Sequence, residues 1–265
     1  MTVAQDYLGR GDAPLSDAGW KLLDGTMAGA AKGVLAGRRI LGIEGPYGLG
    51  LKAVPTVDAR LKGGLVASPF VPVYLIHICF TLGKRDLAAY ERDGLVFDTG
   101  CVAAAAIDCA RQEDTLVFRG ARGAAGLLTA EGTNSLKISS WEEVGTAADD
   151  LIQAVTRLDG TGFPGPYTLA LSPPLYNLLL RRYPQGEGTE LDHLRTIVTD
   201  GIHKAPVLES GAVLLASGTQ YASIVLGQDM TVGFIGPADE NLQFSVSESL
   251  ALRIRVPGAV CVLKE

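Results

Sequence analysis

Only three histidines are available for acid–base or metal chemistry in the 265 residues. Glu190 and His193 form a Glu-x-x-His, which sets a carboxylate and an imidazole on one helical face. A di-iron bundle needs two such pairs and two further glutamates on facing helices, which a strand-rich C-terminal half cannot supply. The pair is therefore read as lying on the surface. His77 falls in an apolar strand and His203 at the end of a helix before Lys204, neither with a partner at motif spacing, so both are read as structural. A Gly-x-Ser-x-Gly elbow is missing, as is the phosphate-binding Gly-x4-Gly-Lys-Ser/Thr. Gly120, Gly123 and Gly126 recur every third residue, which is not the dinucleotide spacing. Asp229, after Gly227-Gln228, reads as a turn residue between strands. Among Cys79, Cys101, Cys109 and Cys261 no two stand at C-x-x-C spacing, which excludes a zinc knuckle or thioredoxin motif. Cys101 and Cys109 on one helix would lie roughly 12 Å apart, too far to bridge. All four are read as small buried hydrophobes of a cytoplasmic protein. No catalytic residue, metal site or cofactor is expected.

The elements that could position a site are easier to read. Ser16 is a helix N-cap, and Trp20, Leu23, Met27, Ala30 and Val34 recur at the three- and four-residue spacing of an amphipathic helix. Gly37 stops it, and Arg38 and Arg39 follow, cations suited to a helix C-terminus. Gly25, Gly29 and Gly33 share one stripe of that helix, and each costs about 1 kcal/mol of helix propensity against alanine. A helix so weakened must recover stability by close packing, either on its own core or against a foreign peptide in a shallow groove. Residues 40–43 are strand-like. From 49 to 75, Pro55, Gly63, Gly64, Pro69 and Pro72 punctuate apolar-rich extended stretches. That stretch is too long for an ordinary connection and too apolar for a disordered one. An extended arm that buries its apolar side on a neighbouring subunit fits it. Beyond lie a strand at 74–82, helices at 86–92 and 102–114, a strand at 115–118 and a glycine loop. A helix at 149–158 and a strand at 167–171 follow, then helices from Pro174 to Arg182 and over 189–200. From Val207 strands dominate, at 212–217, 222–226, 230–235, 242–256 and 259–263.

With 47% hydrophobic residues the chain can fill one large core or two modest ones. The 33 glycines and few aromatics suggest a mixed or β-rich fold with many turns. A net charge of −6, with no block among the basic residues, lacks the cationic footprint of nucleic-acid binding. Lys32 and Arg38 interrupt the most apolar window, so no membrane span is expected. Residues 1–10 contain Asp6 and lack a signal-peptide pattern. Neither nucleic acid nor membrane is expected as a partner.

Five segments in order carry a resemblance. Gly37-Arg38-Arg39-Ile40-Leu41-Gly42-Ile43-Glu44-Gly45-Pro46-Tyr47-Gly48 resembles the segment after the N-terminal helix of encapsulin shell proteins. Phe80-Thr81-Leu82, then Gln112-Glu113-Asp114-Thr115-Leu116-Val117-Phe118-Arg119-Gly120, continue the likeness. It returns at Gly165-Pro166-Tyr167-Thr168-Leu169 and at Leu226-Gly227-Gln228-Asp229. The chain thus resembles the family 1 encapsulins, and among them the shells associated with iron-storing cargo.

The resemblance implies an α+β fold, the HK97-like fold of tailed-phage capsid proteins, with a peripheral domain, an axial domain and an extended arm. On this sequence, 1–48 hold the N-terminal helix and first strand of the peripheral domain, and 49–75 the arm. Residues 76–129 continue the peripheral domain, roughly 130–225 form the axial domain, and 226–265 return to the peripheral domain and arm base. The resemblance also implies a non-enzymatic subunit that closes, with about 60 copies of itself or a small multiple, into an icosahedral shell in the cytoplasm. The shell would enclose a cargo protein of ferritin-like or dye-decolourising-peroxidase type bearing a C-terminal targeting peptide. The cargo tail would dock in a groove formed by Gly25, Met27, Gly29, Ala30, Gly33, Val34, Arg38 and Ile40. A pore loop would run through Arg182, Tyr183, Pro184, Gln185, Gly186, Glu187, Gly188 and Thr189, with Glu187 either ringing the opening or pointing into solvent.

Three departures qualify the likeness. Gly42 stands where an acidic residue is common, which removes a salt bridge bracketing the tail. Ala30 and Ala31 replace larger apolar residues, so the groove is expected to be shallower. Gly83-Lys84-Arg85 stands where some members have an aromatic residue, so no aromatic cofactor platform is expected. A viral or prophage capsid protein would share the fold but package DNA, against which the negative charge weighs. A secreted bacteriocin or protease, or an enzyme of unknown type, has no motif in its favour.

Overall fold

A computed structural model of the chain describes residues 7–184, 186 and 188–265. Ser16 Oγ accepts the Gly19 N–H and so caps helix α1 (Asp17–Val34). This helix ends at Val34, three residues before the expected stop. The Ala36 and Gly37 N–H groups donate to the Asp114 carboxylate at 2.9 and 2.8 Å, and Gly37 thereby opens a second short helix, α2 (Gly37–Ile40). Strand β1 (Gly42–Glu44) follows, with Ile40 helical rather than extended.

The expected arm is a β-ribbon. Strands β2 (Ala53–Pro55) and β5 (Phe70–Pro72) pair antiparallel, and β3 (Ala59–Arg60) and β4 (Val66–Ala67) extend the ladder. Gly63 and Gly64 turn the tip with φ of 81°, a conformation that favours glycine. Val54 at the base is buried against Val225 and Ala251. Further out, Val57 is 89% exposed, Leu65 65% and Phe70 63%. A two-stranded ribbon with that much apolar surface in water is marginal on its own.

The chain then enters strand β6 (Tyr74–Gly83), helix α3 (Lys84–Asp93) and helix α4 (Gly100–Arg119). Residues 115–118, expected as a strand, are the last turn of α4. Thr115 Oγ1 donates to Arg111 O one turn back at 2.7 Å, while Val117 and Phe118 are fully buried, so packing overrides β-branched propensity. Gly120, Gly123 and Gly126 shape a tight hairpin of β7 (Gly120–Ala121) and β8 (Ala124–Ala125). A Cβ at Gly126 would sit 2.3 Å from Gly120 N, which explains the glycines without any ligand.

The rest runs β9 (Asn134–Lys137), α5 (Thr146–Gly160), β10 (Tyr167–Leu171), α6 (Pro173–Leu178), α7 (Glu190–Ile197), β11 (Ile202–Lys204), β12 (Ala212–Ala216), β13 (Ala222–Ala238), β14 (Asn241–Ile254) and β15 (Val260–Lys264). Both α6 and α7 are shorter than the sequence suggested. His203 lies in strand β11 rather than at a helix end. The strands expected at 222–226 and 230–235 are one strand, irregular between Leu226 and Thr231.

Two sheets result. The first has the order β1-β13-β14-β6, and α1 and α4 pack on it through Leu23, Met27, Cys109, Val117 and Phe244. The second has the order β11-β10-β12-β15-β9. Its strands β10 and β12 are buried throughout because both faces are covered. Leu169, Leu171 and Leu214 join Trp141, Leu151 and Leu194 from the helical side, whereas Ala170, Val213 and Leu215 reach the first core. The segment 226–265 is shared between the two sheets. Only β13 and β14 return to the first sheet; β15 pairs with β12 (Leu214↔Cys261) and β9 (Val262↔Ser135), inside the second. Among the described residues no helix is long and apolar enough to cross a membrane.

Candidate functional site

The eight residues expected to form a groove divide into two groups. Met27 and Ile40 belong to the core. Arg38 faces inward as well: Nε donates to Glu113 at 2.8 Å, Nη1 to Asp229 at 2.7 Å and Nη2 to Glu248 at 2.8 Å. Glu113 and Glu248 are fully buried, and Asp229 closes the cluster at the surface from within β13 rather than from a turn. Burial opposes the Arg38 charge, but hydrogen bonds and charge from Glu113, Asp229 and Glu248 outweigh it and raise its pKa. Burial, and then the Glu113 charge, push Glu248 up to about 9, so it carries a proton at neutral pH. One buried guanidinium thus balances one buried carboxylate. The cluster ties α2 and α4 to β13 and β14.

Gly25, Gly29 and Gly33 form the second group, with Ala30 and Val34 half-buried beside them. A Cβ at any of the three glycines would meet nothing within 4 Å. The stripe is therefore not pressed on the chain's own core. It leads into a cleft of about 490 Å³ bounded by Gly33 and Val34, by α4, and by the loop carrying Pro206, Val207 and Glu209. The α4 wall presents Arg111, Thr115 and Arg119, four apart on one helical face, with Asp114 beside them. Arg119 Nη2 donates to Val207 O at 3.1 Å and pairs with Glu209 at 2.7 Å, fixing the loop against the helix. Asp114 holds the end of α1 in place through Ala36 and Gly37, and burial lifts it to about 6 against the opposing effect of those hydrogen bonds. The cleft lining mixes the apolar Val34, Pro206 and Val207 with the charged Arg111, Asp114, Arg119 and Glu209. Its size suits a few side chains of an extended peptide, and the guanidiniums beside it are engaged within the chain, Arg119 by Glu209 and Arg111 by Asp108 at 3.4 Å.

The two ends of the expected pore loop are held together. Arg182 and Thr189 form a β-bridge, and Tyr183 N donates to Gly188 O at 3.3 Å. Thr189 is the N-cap of α7, in a capping box with Asp192. Arg181 and the fully buried Glu190 pair at 2.9 Å, and Glu190 also accepts Gly145 N–H at 2.7 Å. Glu190 is thus a structural anchor rather than a surface charge, and His193 partners Tyr183 OH at 2.8 Å instead of it. Pro184, Gly186 and Gly188 are exposed. Gln185 and Glu187 lie outside the described residues. Among the described residues no group of three or more His, Cys, Asp or Glu side chains could hold a metal ion.

Comparison with known proteins decides the family. The sequence profile of the family described as "Encapsulating protein for peroxidase" matches residues 5–251. The chain belongs to the encapsulin shell-protein family. It is 34% identical to the type 1 encapsulin shell protein of Myxococcus xanthus over 98% of this chain and 96% of that one. A ferritin-like–encapsulin shell fusion protein of Pyrococcus furiosus is 28% identical over 76% of this chain and 55% of its own length. The fold is that of the virus-like particle from Pyrococcus furiosus, with a TM-score of 0.75 at 24% identity, covering 92% of this chain and 99% of that one. The capsid of Myoviridae phage XM1 aligns with a TM-score of 0.60 at 13% identity over 92% of this chain and 91% of its own. The α+β, HK97-like capsid fold expected from the resemblance is therefore the fold of this encapsulin chain.

Within this encapsulin chain, Gly33 and Val34 were the groove residues that line the cleft. Arg111, Thr115, Arg119 and Val207 were missed. Their signal is the spacing itself, since on a helix that runs through 115–118 the positions 111, 115 and 119 fall on one face.

Proposed function

We propose that this encapsulin subunit closes with about 60 copies of itself, or a small multiple, into an icosahedral cage, and that a cargo tail docks along the α1 stripe into the cleft at its end. The carrying observation is the stripe itself. Three exposed glycines, each costing about 1 kcal/mol, gain nothing from packing within the chain, whereas a peptide lying on them regains close contact. The family's description favours a peroxidase as cargo. The Pyrococcus furiosus fusion keeps a ferritin-like cargo as a second reading. The role is structural rather than enzymatic. Solutes enter beside the segment 182–189, whose single acidic residue in sequence would favour cations wherever its copies meet at a symmetry axis.

Gly33→Leu tests the docking reading, because the new side chain enters the cleft without touching the core. Particles purified from the native host are expected to keep their size by electron microscopy while the co-purified cargo, quantified by mass spectrometry, falls at least several-fold. Cargo occupancy equal to wild type overturns the assignment of the cleft.

A further inference from the structure

Strand β6 is the outer strand of its sheet, and its inward residues Ile76, Phe80 and Leu82 are buried. His77, Cys79 and Thr81 alternate with them on the other face and are exposed. Ser247 and Ser245 stand directly across the ladder from His77 and Cys79, and the exposed Leu75 lies beside them on the same face. Cys79 Sγ lies 3.7 Å from His77 Nδ1, within thiol hydrogen-bonding reach. The other three cysteines are placed differently. Cys101 is half-buried on the helix side, with Sγ donating to Thr81 O at 3.5 Å. Cys109 and Cys261 are buried, and burial pushes their thiols up, Cys261 to about 11.

We propose that His77 and Cys79 form a reactive thiol–imidazole pair, a modification site for small peroxides and soft electrophiles. With a peroxide, Cys79 Sγ attacks one oxygen, the S–O bond forms and the O–O bond breaks. His77 Nδ1 takes the thiol proton and returns it to the departing hydroxide, which leaves as water. Sulfur loses two electrons and the peroxide gains them, leaving a sulfenic acid on Cys79. Among the described residues no second cysteine shares this face, so the sulfenic acid waits for a thiol from solution or from another chain. The expectation that all four cysteines are buried hydrophobes holds for Cys109 and Cys261 and fails for Cys79, because the strand's period of two turns it outward.

The test treats the assembled protein at pH 7 with hydrogen peroxide and dimedone, or with iodoacetamide alone, and follows the four cysteine peptides by mass spectrometry. Cys79 is expected to react first, by about tenfold or more over the buried thiols. His77→Asn is expected to slow Cys79 by about tenfold, the loss of a modest general base, with particles unchanged by electron microscopy. Cys79→Ser must remove the fast-reacting fraction. A Cys79 that stays unmodified in assembled particles, or one that reacts equally fast in His77→Asn, overturns the proposal.

Discussion

Replacing Arg38 by methionine separates two roles that the same residue could play. If the guanidinium read a cargo tail, its loss would empty the shell and leave the subunit's stability alone. The structure argues otherwise, since Nε, Nη1 and Nη2 are all engaged by Glu113, Asp229 and Glu248. Methionine would keep the volume but leave the fully buried Glu113 carboxylate unpaired. Removing one partner of a buried pair costs about 3–5 kcal/mol, which for a chain of this length lowers the melting temperature on the order of 10 °C. The assay is a thermal scan of wild-type and Arg38→Met protein at one fixed heating rate, with cargo occupancy measured in parallel. Variant particles that melt like wild type yet lack cargo would refute the reasoning. The same cluster sets a pH dependence. Glu248 titrates near 9 in the folded chain, against an ordinary 4.5. The native state therefore holds a proton that the unfolded chain releases between those values. Its contribution is complete below about pH 4.5 and is lost as pH rises through about 9. Glu248→Gln keeps an acceptor for Arg38 and is expected to flatten the fall in stability across that window.

Three further outcomes follow from the same geometry. Gly29→Ala places a methyl in open space on α1 and is expected to stabilise the subunit by about 1 kcal/mol in denaturant titration; a destabilised variant would mean that the stripe packs on something within the shell wall. Deleting residues 54–66 removes most of the ribbon and its exposed apolar residues, and is expected to abolish particles in electron micrographs. Glu187→Lys is expected to slow cation entry into loaded shells, most clearly at low salt, measured as the oxidation rate of ferrous ion by the enclosed cargo where that cargo handles iron.

Much of the fold was legible because its signals are local. The cap at Ser16, the period of α1 and the apolar run at 167–171 each specify their element from a few neighbours. The extended course of residues 53–72 was legible too, since proline and glycine among apolar residues leave few alternatives to a ribbon. What escaped depends on distant partners. Thr115, Val117 and Phe118 look like a strand until the core beneath α4 is known. Arg38 resembles a free C-terminal cation, and no local pattern shows that Glu113 and Glu248, 75 and 210 residues away, converge on it. The closing strand is short and apolar, and only the ladder reveals that it joins β12. The candidate site was half legible for the same reason: Gly25, Gly29 and Gly33 mark the stripe, but the cleft at its end is completed by residues about 170 positions further along the chain.

The most direct measurement is the mass and shape of the purified chain, by native mass spectrometry and electron microscopy at physiological salt. The account predicts closed hollow particles of about 60 subunits or a small multiple, with the ribbon of each subunit lying on its neighbour. A stable monomer or small open oligomer, with Val57, Leu65 and Phe70 still in water, would contradict it.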